Sequence, residues 1–165
     1  MSIKKSVWIS FGILFLISIF SFTIMNSNTK NTKLHYAVRQ PKVQTTNPPL
    51  LILLHGVGGN EQNLFSFAPE LPDNFVVVSA RGPLTFGPNS FAWFQVNFNG
   101  GHPQINEQQA EAARVTILDF IEDLKDQHDF DEKQVYLMGF SQGGIMSYSA
   151  ALTEPEKIKG IAVMS

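Results

Sequence analysis

Four short apolar runs punctuate the chain, at residues 50–54, 75–79, 135–138 and 158–164. None of them alternates cleanly with polar residues. A continuous run of this length predicts a strand covered on both faces, as in a parallel sheet. Helical patterns lie between the runs. Residues 60–68 predict a short helix with Asn60 as its N-cap. Asn106 caps a longer helix, with Gln109 placed to complete a capping box. Ala110, Ala113, Ile117, Phe120, Ile121 and Leu124 fall on one face of that helix and predict core packing. Residues 141–152 predict a third helix. Leu34, Tyr36 and Val38 alternate, which predicts an edge strand over 34–39. Residues 81–105, rich in Gly, Pro, Asn and Phe, read as one long loop. Strands alternating with helices predict an α/β fold with a mostly parallel sheet and flanking helices. There is no internal repeat.

The N-terminus follows a different pattern. Residues 6–29 carry no charge, and Ile, Phe, Leu and Val dominate residues 7–25 behind Lys4 and Lys5. A basic start followed by an apolar stretch is the layout of a secretory signal. The stretch also approaches the ~20 residues that cross a bilayer. No small-residue cleavage site follows it. Residues 1–30 therefore read as a signal peptide or an N-terminal membrane anchor, with a slight lean to the anchor. The positive-inside rule would leave the N-terminus in the cytoplasm and the body on the extracytoplasmic side, anchored or exported. Residues 31–49 read as linker and edge strand, and 50–165 as the α/β domain.

Composition changes this picture little. The chain of 165 residues fits one domain, and 44% hydrophobic with 16% charged residues is ordinary for a globular protein. The formal net charge is −2, with no basic cluster, which argues against a nucleic-acid partner. With no Cys, disulfides, thiolate metal sites and a Cys nucleophile are excluded. No metal or cofactor is expected, and the oligomeric state is left open.

The candidate chemistry lies at two strand ends. Gly139-Phe140-Ser141-Gln142-Gly143 matches G-x-S-x-G, directly after a predicted strand and directly before a predicted helix. Such a turn lifts a serine oxygen above the sheet. Gly139 and Gly143 flank it because side chains there would collide. The helix N-terminus beneath Ser141 would stabilise a developing oxyanion. The plain alternative is a Gly-Ser helix start without chemistry. His55-Gly56-Val57-Gly58-Gly59 ends an earlier strand, where a second oxyanion donor is expected. That donor would be the Val57 amide, paired with Gln142, while Gly56, Gly58 and Gly59 keep the backbone close to substrate. A phosphate-cradling loop would need the Lys and Ser/Thr that are missing here. A simple glycine turn is the remaining alternative.

Four segments together resemble the phospholipase/carboxylesterase family of bacterial serine esterases, which is similar to acyl-protein thioesterases. They are Leu53 to Asn60, Ala80-Arg81-Gly82-Pro83, Phe91-Ala92-Trp93-Phe94, and Tyr136 to Gly144. The resemblance implies the α/β-hydrolase fold and hydrolysis of small-molecule carboxylic esters or thioesters. It also implies Ser141 as nucleophile and Val57 and Gln142 as oxyanion donors. Trp93 and Phe94 would then line the acyl pocket, or serve as ordinary core aromatics.

One part of the pattern is not met. The family orders its triad Ser, acid, His. The residues after Ser141 include Glu154 and Glu156 and no His. The chain is therefore expected to be a C-terminally truncated domain, with the last strands and helices missing and catalysis incomplete. His55 reads as a brace of the oxyanion loop, His102 as facing solvent, and His35 and His128 as far from Ser141. The competing reading is a non-catalytic, membrane-anchored α/β-hydrolase-like binding module.

Overall fold

The computed structural model describes residues 33–97 and 100–165. The expected signal or anchor at 1–30 lies outside the described residues. Among those described, no helix is long and apolar enough to cross a membrane.

A five-stranded sheet forms the middle layer. Its strands are β1 (Tyr36–Arg39), β2 (Leu50–Leu54), β3 (Val76–Ala80), β8 (Val135–Phe140) and β9 (Gly160–Met164), in the order β1-β3-β2-β8-β9. All neighbours are parallel except β1, which runs antiparallel to β3. Every residue of β2 and β3 is buried, as the unbroken apolar runs require. β2 sits at the centre, and its carboxyl end carries His55 and Gly56.

Helices cover both faces. On one side α2 (Glu107–Lys125) and α3 (Gln142–Thr153) pack against Leu50, Ile52, Leu54, Val76, Val78 and Leu137. On the other, α1 (Glu61–Phe65) packs Leu64 onto Leu51, Leu53 and Val77. The six apolar residues aligned along α2 all contribute to the first cluster, with Ala110 only partly buried. Each buried Leu, Ile or Phe contributes roughly 1.5–3 kcal/mol relative to an exposed one.

Several elements differ from the sequence reading. The first helix ends at Phe65, and Ala68–Glu70 is a separate 3-10 turn. Pro69 explains the break, since proline disfavours helical backbone at the preceding residue and lacks an amide. Asn106 does cap α2 by accepting from the Gln109 amide, but Gln109 does not complete the box. Its side-chain oxygen accepts instead from the Gln95 amide. The reciprocal box forms at α1, between Asn60 and Asn63. The loop over 81–105 holds two small antiparallel ribbons. One pairs β4 (Leu84–Gly87) with β5 (Ser90–Ala92), and the other pairs β6 (Val96–Asn97) with β7 (Gln104–Ile105).

Candidate active site

Strand β8 ends at Phe140 and α3 begins at Gln142, so Ser141 alone makes the turn between them. Its backbone sits at φ 49° and ψ −113°. A non-glycine residue in such a region costs on the order of 1–3 kcal/mol and persists only where its surroundings over-determine it. Here the Ser141 amide donates to the Met164 carbonyl at the end of β9 over 2.8 Å. Its carbonyl accepts from the amides of Gly144 at 2.9 Å and Ile145 at 3.1 Å. The residue is exposed at the carboxyl edge of the sheet, where substrates of parallel α/β folds bind.

The turn after β2 is held just as tightly. His55 is buried, and its two ring nitrogens have different partners. Nε2 accepts from the Gly82 amide at 2.9 Å, so it carries no proton. Nδ1 therefore bears the hydrogen and donates to the Gly56 carbonyl at 2.7 Å. Gly59 also donates to that carbonyl, at 3.1 Å. In a trans peptide the carbonyl of one residue and the amide of the next point in opposite directions. Fixing the Gly56 carbonyl toward His55 and Gly59 thus aims the Val57 amide the other way. No hydrogen bond among the described residues occupies the Val57 or Gln142 amide. Gly58 continues the turn at φ 81°, a conformation that suits glycine.

Val57, Ser141 and Gln142 line one cavity of about 170 Å³, together with Phe94, Val96, Pro103, Ile105 and Ile145. Two residues whose backbone amides have no described hydrogen bond thus share a mostly apolar cavity with Ser141. That arrangement can receive a carbonyl whose oxygen takes on negative charge. A second apolar cavity of about 570 Å³ lies across Val57, against Leu64, Phe67, Phe140 and Met164.

The sequence model of the phospholipase/carboxylesterase family matches residues 34–165. The chain belongs to this family. Feruloyl esterase B of Thermothelomyces thermophilus is 30% identical over 148 residues, which cover 87% of this chain and 47% of that protein. Esterase YpfH of Escherichia coli is 30% identical over 126 residues, covering 73% and 52% respectively. The chain thus spans about half the length of these curated relatives. Among solved structures, the Bacillus cereus carboxylesterase superposes with a TM-score of 0.68 at 22% identity, over 82% of this chain and 61% of that one. Esterase PE8 gives 0.65 at 28% identity, over 78% and 62%. The fold is that of the α/β-hydrolases, and both curated relatives named above are esterases.

Among the described residues, none of the four histidines hydrogen-bonds Ser141. Both ring nitrogens of His55 are engaged, so it cannot take a proton from Ser141 as it stands. His35 lies 3.6 Å from Glu61. His128 bonds Tyr36 and Gln40. His102 is exposed, although the next residue, Pro103, lines the Ser141 cavity. Glu154 caps the far end of α3. No described residue hydrogen-bonds the Ser141 hydroxyl.

The two aromatic candidates separate. Trp93 is fully buried and donates its indole N–H to the His55 carbonyl at 2.8 Å, so it is a core residue and not a wall of the Ser141 cavity. Phe94 does line that cavity. The Gln142 side chain joins both to α3: its oxygen accepts from the Trp93 amide, and its nitrogen donates to the Phe94 carbonyl, each at 2.8 Å. Sequence reading did not anticipate these side-chain bonds of Gln142. It also missed Glu61, a buried carboxylate gripped by both Arg81 Nε and Nη2 at 2.6 Å. The Ala80-Arg81-Gly82-Pro83 segment stood out in the sequence, but nothing there named its partner.

These buried groups set an acid limit. Hydrogen bonds from Arg81 hold the Glu61 carboxyl down at about 2, from an ordinary 4.5. Its stabilisation is complete above 4.5 and is lost as pH falls toward 2, amounting to about 3 kcal/mol. Burial holds the His55 imidazole below its ordinary 6.5, so the neutral form favours folding and that contribution fades as pH drops under 6.5. The urea midpoint should therefore fall in two stages on acidification. Glu61→Gln should erase the lower stage, and an unchanged pH profile in that variant would contradict the assignment.

Proposed function

We propose that this chain carries the nucleophile and oxyanion hole of a serine hydrolase for carboxylic esters or thioesters. The observation that carries the reading is the cavity that the strained Ser141 shares with Val57 and Gln142, whose amides have no described hydrogen bond. The Ser141 hydroxyl oxygen would attack the carbonyl carbon, and the two amides would hold the resulting oxyanion. Collapse would expel the alcohol or thiol and leave an acyl group on Ser141. Water would then release the acid. The proton from Ser141 needs a base, and no described histidine is bonded to it. On this reading turnover depends on an acid and a histidine, and among the described residues none is bonded to Ser141. The relatives' names support ester substrates. The apolar walls favour an acyl group without charge. The charge-free stretch over residues 6–29 would hold the domain at a membrane, with its body on the extracytoplasmic side.

A fluorophosphonate reports on this site without full turnover, because a single attack leaves a stable adduct. Treatment of the full chain should give a slow adduct on Ser141, identified by peptide mass, and the labelled chain should sediment with membranes. An adduct on a different serine would refute the nucleophile. A labelled chain wholly in the soluble fraction would refute the anchor.

A further inference from the structure

Arg81 lies outside the Ser141 cavity, yet it is connected to both ends of the oxyanion loop. We propose that Arg81 is a positioning residue for that loop and acts through Phe91; this rests on Val57 being an oxyanion donor.

The connections run as follows. Arg81 directly follows β3, and its amide donates to the His35 carbonyl at 2.8 Å, which fixes its backbone. Its guanidinium carbon sits 4.5 Å from the centroid of the Phe91 ring. The same guanidinium holds Glu61 with two bonds. Glu61 is the first residue of α1, directly after the loop ends at Asn60. Phe91 in turn grips the loop by its backbone. Its carbonyl accepts from the Gly58 amide, and its amide donates to the Gly59 carbonyl, each at 2.8 Å. The residue after Arg81, Gly82, fixes the His55 ring that orients the Gly56 carbonyl.

Val57 stands between these two anchors. Gly56 on one side is set by His55, and Gly58 on the other is set by Phe91. The His55 ring and the Gly59 amide hold the Gly56 carbonyl and thereby aim the Val57 amide. Both holds lean on neighbours outside the loop, since Gly82 fixes the His55 ring and Phe91 pairs with Gly59. Among the described residues, the Arg81 guanidinium bridges the ring of Phe91 and the start of α1. A planar fork can grip a carboxylate with two donors while its face or edge rests on an aromatic ring. A lysine ammonium cannot do both, so arginine is the residue this position needs.

Backbone amide exchange in the full chain tests the proposal before any substrate is added. Arg81→Met retains the apolar stem and loses the charge and the donors. It should speed exchange at Gly58 and Phe91 about tenfold, while β2 and β8 amides stay within about twofold. Phe91→Leu should produce the same local change with the Glu61 pair intact, and it decides the matter if Arg81→Met does not fold. Arg81→Lys should recover little of the protection. The rate of Ser141 phosphonylation should fall about tenfold in the same variants. Unchanged Gly58 exchange overturns the proposal, as does uniform acceleration across the sheet. Faster Gly58 exchange with an unaltered labelling rate overturns the positioning role. Absence of any Ser141 adduct in the parent chain counts against the nucleophile instead, so the two failures are told apart.

Discussion

Gly143→Ala should abolish cooperative folding. A Cβ at this position would lie 2.0 Å from the Leu54 carbonyl oxygen, 2.5 Å from its carbon and 2.8 Å from the His55 oxygen. All three are backbone atoms of β2 and its exit, so no side-chain rotation relieves the clash. The start of α3 would have to back away from the central strand. That movement would pull the Gln142 side chain off the Trp93 amide and the Phe94 carbonyl, leaving two buried backbone groups unpaired. Overpacking a well-packed core costs about 1–3 kcal/mol, and each orphaned buried group a further 1–3. Their sum is a large part of the ~5–15 kcal/mol that holds a domain together. Thermal unfolding followed by circular dichroism should show no cooperative transition. A melt within a few degrees of the parent would mean that α3 and β2 are not packed as described.

Ser141→Ala should remove chemistry and spare the fold. The serine side chain is exposed, and its hydroxyl supports no described hydrogen bond, so its loss leaves nothing buried unsatisfied. The effect on turnover is best read in a chimera that appends the acid- and histidine-bearing part of a relative such as esterase YpfH. There, hydrolysis of an aryl ester should drop to the residual ~10³–10⁴ over water that binding and the oxyanion hole supply alone. The melting temperature should stay within a few degrees of the parent. Full activity in the alanine variant would show that another group attacks the ester.

The parts of the fold that were legible in the sequence are those where local pattern and tertiary burial agree. Leu50–Leu54 is five apolar residues in a row, and β2 is buried throughout. The strand-to-helix turn at Ser141 was legible because so tight a turn leaves room only for glycine at positions 139 and 143. The ribbons β4–β5 and β6–β7 were not legible. They are two to four residues long and mix polar with apolar positions. They exist because their strands pair with one another, and β5 also pairs through Phe91 with Gly58 and Gly59, and no residue pattern records such pairing. Gln109 failed for a similar reason: a capping box and a bond to the Gln95 amide compete for one oxygen, and only the fold decides. Trp93 next to Phe94 read as a matched pair, yet one is sealed in the core and the other reaches the cavity. Adjacent residues in an irregular segment point in directions that no periodicity predicts. The Glu61–Arg81 pair was invisible because its members are brought together by the packing of α1 on β3.

The strain at Ser141 also bears on the order in which the chain folds. Nothing in the local sequence favours φ 49° at a serine. The turn is forced only when β8 has paired with β2 and with β9, since the Ser141 amide needs the Met164 carbonyl to hold it. Strands β2 and β8 are distant in sequence, and parallel pairings between distant segments form slowly. The elbow is therefore a late event, and substitutions confined to it should alter unfolding rates more than folding rates. A newly made chain would present the serine only once the sheet around β8 has assembled.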